Sequence, residues 1–115
     1  MPPFVAYHGV SADEHQHRFD ELGPQGYRPI TIGVSGDPGS ALYAAVWVQR
    51  PGPALQAMHR IDAAEYQRRF NLFTSQGYAP ICVSATGPVE NAEFAAIFEQ
   101  GETRPWFARH GLRHL

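Results

Sequence analysis

Three histidines recur at one interval: His8, His59 and His110 are each 51 residues apart. Imidazole nitrogen is a good ligand for zinc and similar divalent metals. Three imidazoles at one point leave a fourth position for water, as in a hydrolytic zinc centre. That chemistry requires convergence, which a rotational arrangement of the surrounding segments provides and a linear stack does not. The same repetition suits a structural duty, in which each imidazole closes a strand and hydrogen-bonds the backbone of the following turn.

Other groups with chemical potential are less organised. His15 and His17 stand two apart, so on a helix they point to different faces and cannot chelate together. His15 falls at an apolar-face position, where it serves as a packing residue or faces a pocket. Cys82 is the single cysteine. It has no cation close in sequence to stabilise a thiolate, and reads as a small buried thiol rather than a nucleophile. Asp13-Glu14 and Asp20-Glu21 read as helix-dipole partners and a solvated face. The glycines from Gly33 to Gly39 lack the Lys and Ser/Thr that complete a phosphate loop. An aromatic set, Tyr27, Tyr43, Trp47, Tyr78, Phe94 and Phe98, has the makings of a groove for a peptide, a glycan or a small apolar ligand, and equally of a core or a subunit contact.

The elements that position these residues are duplicated. Aligning residues 3–50 with 54–101 gives 17 identities in 48 pairs, among them Phe19/Phe70, Gly26-Tyr27/Gly77-Tyr78 and Ala44-Ala45/Ala95-Ala96. A self-match at fixed period marks a repeat architecture. Each unit reads strand, helix, strand, strand. The first strands are about Phe4–His8 and Leu55–His59. Ser11-x-x-Glu14 and Asp62-x-x-Glu65 have the form of capping boxes, in which a side-chain oxygen and a Glu satisfy orphaned amides. Apolar stripes follow at Ala12, His15, Phe19, Leu22 and at Ala63, Tyr66, Phe70, Phe73. Gly26 and Gly77 suit left-handed turns. Second strands at about Tyr27–Val34 and Tyr78–Ala85 precede polar loops, and closing strands run at Leu42–Val48 and Glu93–Glu99. A third copy opens with Trp106, Ala108 and His110 and is expected to supply one strand within 105–115.

The closing strands are apolar on both faces: Tyr43, Ala45 and Trp47 alternate with Ala44 and Val46, and Phe94, Ala96 and Phe98 with Ala95 and Ile97. Two short helices cover one face only. The other face requires curvature, a second subunit or a ligand. The sequence thus predicts one α+β domain over 1–115: two tandem β-α-β-β repeats plus a C-terminal strand, with helices on one face of a curved, largely antiparallel sheet.

Composition excludes several classes. Nine Lys+Arg against eleven acids, net charge −2, leave no excess for a phosphate backbone, so no nucleic-acid partner is expected. No apolar run approaches the ~18–20 residues of a membrane helix. The N-terminus lacks a basic region followed by an apolar one, so a cytoplasmic location is the default expectation, or an extracellular one if the chain is cut from a secreted parent.

The combined motifs, Trp106-Phe107-Ala108-Arg109-His110-Gly111-Leu112, Glu14-x-Gln16-x-x-Phe19, Gln25-Gly26-Tyr27-Arg28-Pro29-Ile30 and Tyr43-Ala44-Ala45-Val46-Trp47, extend over nearly the whole chain. This pattern resembles the bacterial tandem-repeat domain found ahead of the serine-hydrolase domain in polyglycine hydrolases. The resemblance implies an accessory repeat module. The hydrolase activity needs a Ser-x-x-Lys nucleophile, and this sequence has no lysine. The leading expectation is a non-catalytic module for binding or assembly, without a cofactor, that self-associates through an aromatic sheet face as a homo-oligomer. The alternative is a small metal-dependent or His-assisted enzyme using His8, His59 and His110, with zinc or another divalent ion.

Overall fold

Residues 3–101 are described by a computed structural model. Strand β1 (Phe4–Ser11) leads into helix α1 (Ala12–Leu22), then β2 (Tyr27–Ser35) and β3 (Leu42–Gln49); β4 (Leu55–Ile61), α2 (Ala63–Ser75), β5 (Tyr78–Thr86) and β6 (Glu93–Gln100) repeat the series. The expected third copy at 105–115, with Trp106 and His110, lies outside the described residues.

Both helices start where the sequence places their caps. Ser11 Oγ accepts from the Glu14 amide at 3.1 Å, and Asp62 Oδ1 from the Glu65 amide at 2.8 Å. The acidic arm of each expected box acts differently. Glu14 bonds Arg18, and Glu65 bonds Arg68 and Arg69, one turn further along the helix. In the first unit Ser11 still belongs to β1, opposite Leu42, so its backbone is already engaged in a strand. Gly26 and Gly77 take φ of 89° and 90°, the left-handed turns expected of them.

The first strands run three residues past His8 and two past His59, because a bulge rather than a turn follows each histidine. Register shifts between Tyr7 and Val10 and between Met58 and Ile61. At the bulges Gly9 and Arg60 adopt φ of 68° and 58°. Glycine does so freely; a residue with a Cβ needs local compensation. Arg60 has it, since its amide donates to Tyr43 Oη at 2.9 Å and its guanidinium bonds Asp13 at 2.8 Å.

The strands form two three-stranded sheets, order β1-β3-β2 and β4-β6-β5, antiparallel throughout. The closing strand is central in each, and the helix spans from one edge to the other. Side chains paired with Tyr43, Ala45 and Trp47 (Val10, Tyr7 and Val5 from β1; Val34, Ile32 and Pro29 from β2) share the helix side of the first sheet. There Leu22 and Phe19 pack on Ala45 and Trp47. Tyr66, Phe70 and Phe73 of α2 likewise pack around Ala96 and Phe98.

In the second sheet, the apolar face away from the helix is covered by the first repeat. Ala95 and Ile97, on the open side of the second sheet, join Ile32, Val34 and Tyr43 in one buried cluster. This differs from the three ways of covering that face weighed from sequence. The edge of β2 rests on that same open side, and β5 caps it with side chains. Cys82 Sγ lies 3.4 Å from both the amide and the carbonyl of Ile32, Ser84 Oγ accepts from the Val34 amide at 3.0 Å, and Thr86 Oγ1 donates to the Gly36 carbonyl at 2.7 Å. These partners stand 50 residues apart, one short of the repeat period. A step of one residue along a strand changes sides. The offset therefore records open side against helix side: the repeats stack head to tail.

Burial then differs between equivalent positions. Ile97 is fully buried, while its counterpart Val46 is only half-buried. In dilute solution Ile97→Ala should cost about 2–5 kcal/mol and Val46→Ala less than about 1 kcal/mol in urea unfolding. Equal losses would contradict this stacking.

Candidate functional site

Polar and aromatic side chains converge where the repeats meet. Tyr43, in the middle strand of the first sheet, donates from Oη to Glu93 Oε2 at 2.5 Å. Glu93 opens β6, is buried, and accepts the Gly39 amide on Oε1 at 2.9 Å. A buried carboxylate is costly unless hydrogen-bonded, and both of its oxygens are engaged. Burial first, then the hydrogen bond to Glu93, pushes the Tyr43 phenol well above its ordinary value.

His15 of α1 stacks on Tyr43 at 5.2 Å between ring centroids and meets the His59 ring edge-on at 4.8 Å. Its Nδ1 lies 2.7 Å from Tyr7 Oη, which accepts from Trp47 Nε1 at 3.1 Å. With the indole donating to Tyr7 Oη, the phenol proton is available to Nδ1, an arrangement that accommodates a neutral His15 protonated on Nε2. Burial, and to a lesser degree His59, pushes the His15 pKa down to about 4. His59 is lowered too, by burial and then by Arg60, against opposing contributions from Glu93, the Ala12 backbone and Asp13. Further along the joint, Arg28 donates to the Pro53 carbonyl at 2.6 Å and to Glu99 at 3.0 Å.

The histidines expected to converge are differently placed. His8 is exposed beside an open recess of about 480 Å³ on the first sheet, with Ala6, Thr31, Gly33, Ala44 and Val46. His59 is half-buried in the joint, where its neighbour is His15, and His110 lies outside the described residues. Among the described residues no three His, Cys, Asp or Glu side chains are grouped as a metal would require. His15 and His17 part as expected, the first buried and the second exposed.

Of the six aromatic candidates, Tyr43, Trp47 and Phe98 are fully buried within the chain. They are core groups because the helices and the neighbouring repeat cover them. Tyr27, Tyr78 and Phe94 keep part of their surface. Cys82 is half-buried and works as a joint hydrogen-bonding group. Sequence reasoning passed over Tyr7, Arg28, Glu93 and Glu99. Their signal was a break in the repeat: each charged or hydroxylated residue stands where the other copy is apolar (Met58, Ala79, Leu42 and Val48).

The His15 shift has a pH consequence of definite sign. Above about pH 6.5 the imidazole is neutral in both folded and unfolded chains, so its contribution is complete. As pH falls from there toward 4, only the unfolded chain binds the proton. Stability should then drop, by about 3 kcal/mol at the limit. Urea unfolding midpoints from pH 8 to 4 measure the slope, which His15→Phe should flatten. A His15 imidazole resonance titrating near 6.5 would refute the assignment.

Comparison with known families follows the same division. The family model of the polyglycine hydrolase-like structural repeat matches residues 1–50 and, a second time, residues 52–101.

Proposed function

The chain belongs to the polyglycine hydrolase-like structural repeat family, and on that footing we propose that it is a non-catalytic module for binding or assembly. One observation carries this reading. The buried ionisable groups sit where one repeat meets the other, while among the described residues apolar surface of the kind that makes that joint is left uncovered on both repeats. His15, Tyr43 and Glu93 are buried: Tyr43 donates to Glu93, and His15 stacks on Tyr43 with its Nδ1 against Tyr7 Oη. A buried imidazole held neutral and hemmed by aromatic rings is a packing group rather than an accessible base.

The uncovered surface suits an apolar or polypeptide partner. Val83 and Leu42 are close to half-exposed, Phe4 is 62% exposed and Val89 is 91% exposed. Tyr27, Tyr78 and Phe94 also keep accessible aromatic surface. The recesses lined by Leu42 and by Tyr27 are open, a better match to another protein face than to an enclosed small molecule. No described helix is long and apolar enough to cross a membrane, so the exposed apolar groups are not part of a helical span.

Metal analysis tests the proposal against a histidine-dependent enzyme. The purified protein should hold less than one equivalent of zinc, nickel or iron. His59→Ala should lower the unfolding midpoint without releasing any metal. Stoichiometric metal, lost on His59→Ala, would overturn the reading.

A further inference from the structure

We propose that copies of this chain assemble head to tail, with the open side of the first repeat of one copy docked on the helix side of the second repeat of the next. This rests on the assembly reading above and names the partner: a second copy, joined as the two repeats already are within the chain.

Exposure at equivalent positions gives the first argument. On the helix side Ile32 and Val34 of the first repeat are 6% and 7% exposed, whereas Val83 is 45% exposed and Ala85 is also open. On the open side the order reverses. Glu93, Ala95 and Ile97 are buried in the second repeat, while Leu42 is exposed and Ala44 and Val46 are half-buried. Among the described residues one repeat thus displays an unfilled socket and the other an unused plug, each made from the positions that build the internal joint.

Substitution across the joint gives the second. Inside the chain, Arg28 pairs with Glu99, Tyr43 with Glu93, and Asp13 with Arg60. Shifted by one repeat, the partners become Ala79 with Val48, Phe94 with Leu42, and Ala64 with Gly9. In each case both members lose polarity together. Had one member alone changed, docking would bury an unpaired charge or hydroxyl. The end-to-end joint is apolar where the internal one is ionic or hydrogen-bonded.

The backbone caps are retained in part. Thr31 and Ser35 stand in the positions of Cys82 and Thr86, opposite the carbonyls of Val83 and Gly87 in the docked copy. Gly33 replaces Ser84, so one cap is lost. Phe4 replaces Leu55, which borders the recess formed with Phe19, Tyr27 and Trp47; the corresponding aromatic wall is Phe70, Tyr78 and Phe98. Because plug and socket differ, the contact is heterologous and continues into a ring or a filament rather than stopping at a symmetric dimer.

Two charged substitutions at exposed positions separate the ends: Leu42→Arg blocks the plug and Val83→Arg blocks the socket. Circular dichroism and unfolding midpoints close to those of the unmodified chain establish that both variants fold. In sedimentation velocity the unmodified protein should form concentration-dependent species beyond a dimer. Each variant alone should associate at least about a hundredfold more weakly. An equimolar mixture should form a 1:1 heterodimer and stop there, since one good plug and one good socket remain. An unmodified chain that stays monomeric to about 1 mM overturns the proposal while leaving the metal-free reading intact. So does a variant that self-associates undiminished, or a mixture in which no heterodimer forms.

Discussion

An edge strand carries a row of backbone amides and carbonyls that must find partners in another strand, in side chains or in water. Here the outer edge of β2 meets side chains. Cys82, Ser84 and Thr86, alternate residues of β5 on one face, reach the backbone of Ile32, Val34 and Gly36. Their regular spacing holds the second sheet in one register against the first. That register places Ala95 and Ile97 over Ile32 and Val34, and brings Glu93 to Tyr43 and His59 to His15. The apolar cluster supplies burial, and the hydroxyl and thiol caps determine which burial occurs.

The polar contacts of the joint add orientation more than net energy. Exposed pairs such as Arg60–Asp13 contribute little, whereas Arg28–Glu99 and Tyr43–Glu93 are largely withdrawn from water and are sensitive to losing one member. Such contacts disfavour a displaced register, because displacement leaves a buried carboxylate or guanidinium unpaired. The buried imidazole follows the same logic. Burial first, and then the neighbouring His59 imidazole, disfavours the charged form of His15, which lies against Tyr7 Oη and the Tyr43 ring. The corresponding Tyr66 packs against Phe94 and Phe98 with no such network.

Duplication followed by divergence accounts for the pairing of these features. Two copies of one unit begin with the same two faces. Among the described residues one face of each copy meets the other copy, and the polar substitutions are concentrated on those two. Arg28, Glu93, Arg60 and Glu99 each interrupt the match between the copies, and each lies at the internal contact. Mismatches between repeats therefore carried more information about the site than identities did. The identical residues, Phe19/Phe70 and Ala45/Ala96 among them, mark the core that each unit builds for itself.

The sequence by itself determined the repeat, its strand-helix-strand-strand order, the two caps and the left-handed glycines. These depend on neighbours within a few residues, where periodicity and turn chemistry are decisive. The bulges after His8 and His59 escaped it, because a strand that continues past a left-handed residue looks locally like a strand that ends. The neutral His15, the engaged Glu93 and the division into two stacked sheets were settled only in three dimensions. A residue's burial and protonation depend on what a segment some 50 positions away places beside it. That partner is chosen by shape and by unsatisfied backbone groups, which leave no periodic trace in either strand alone.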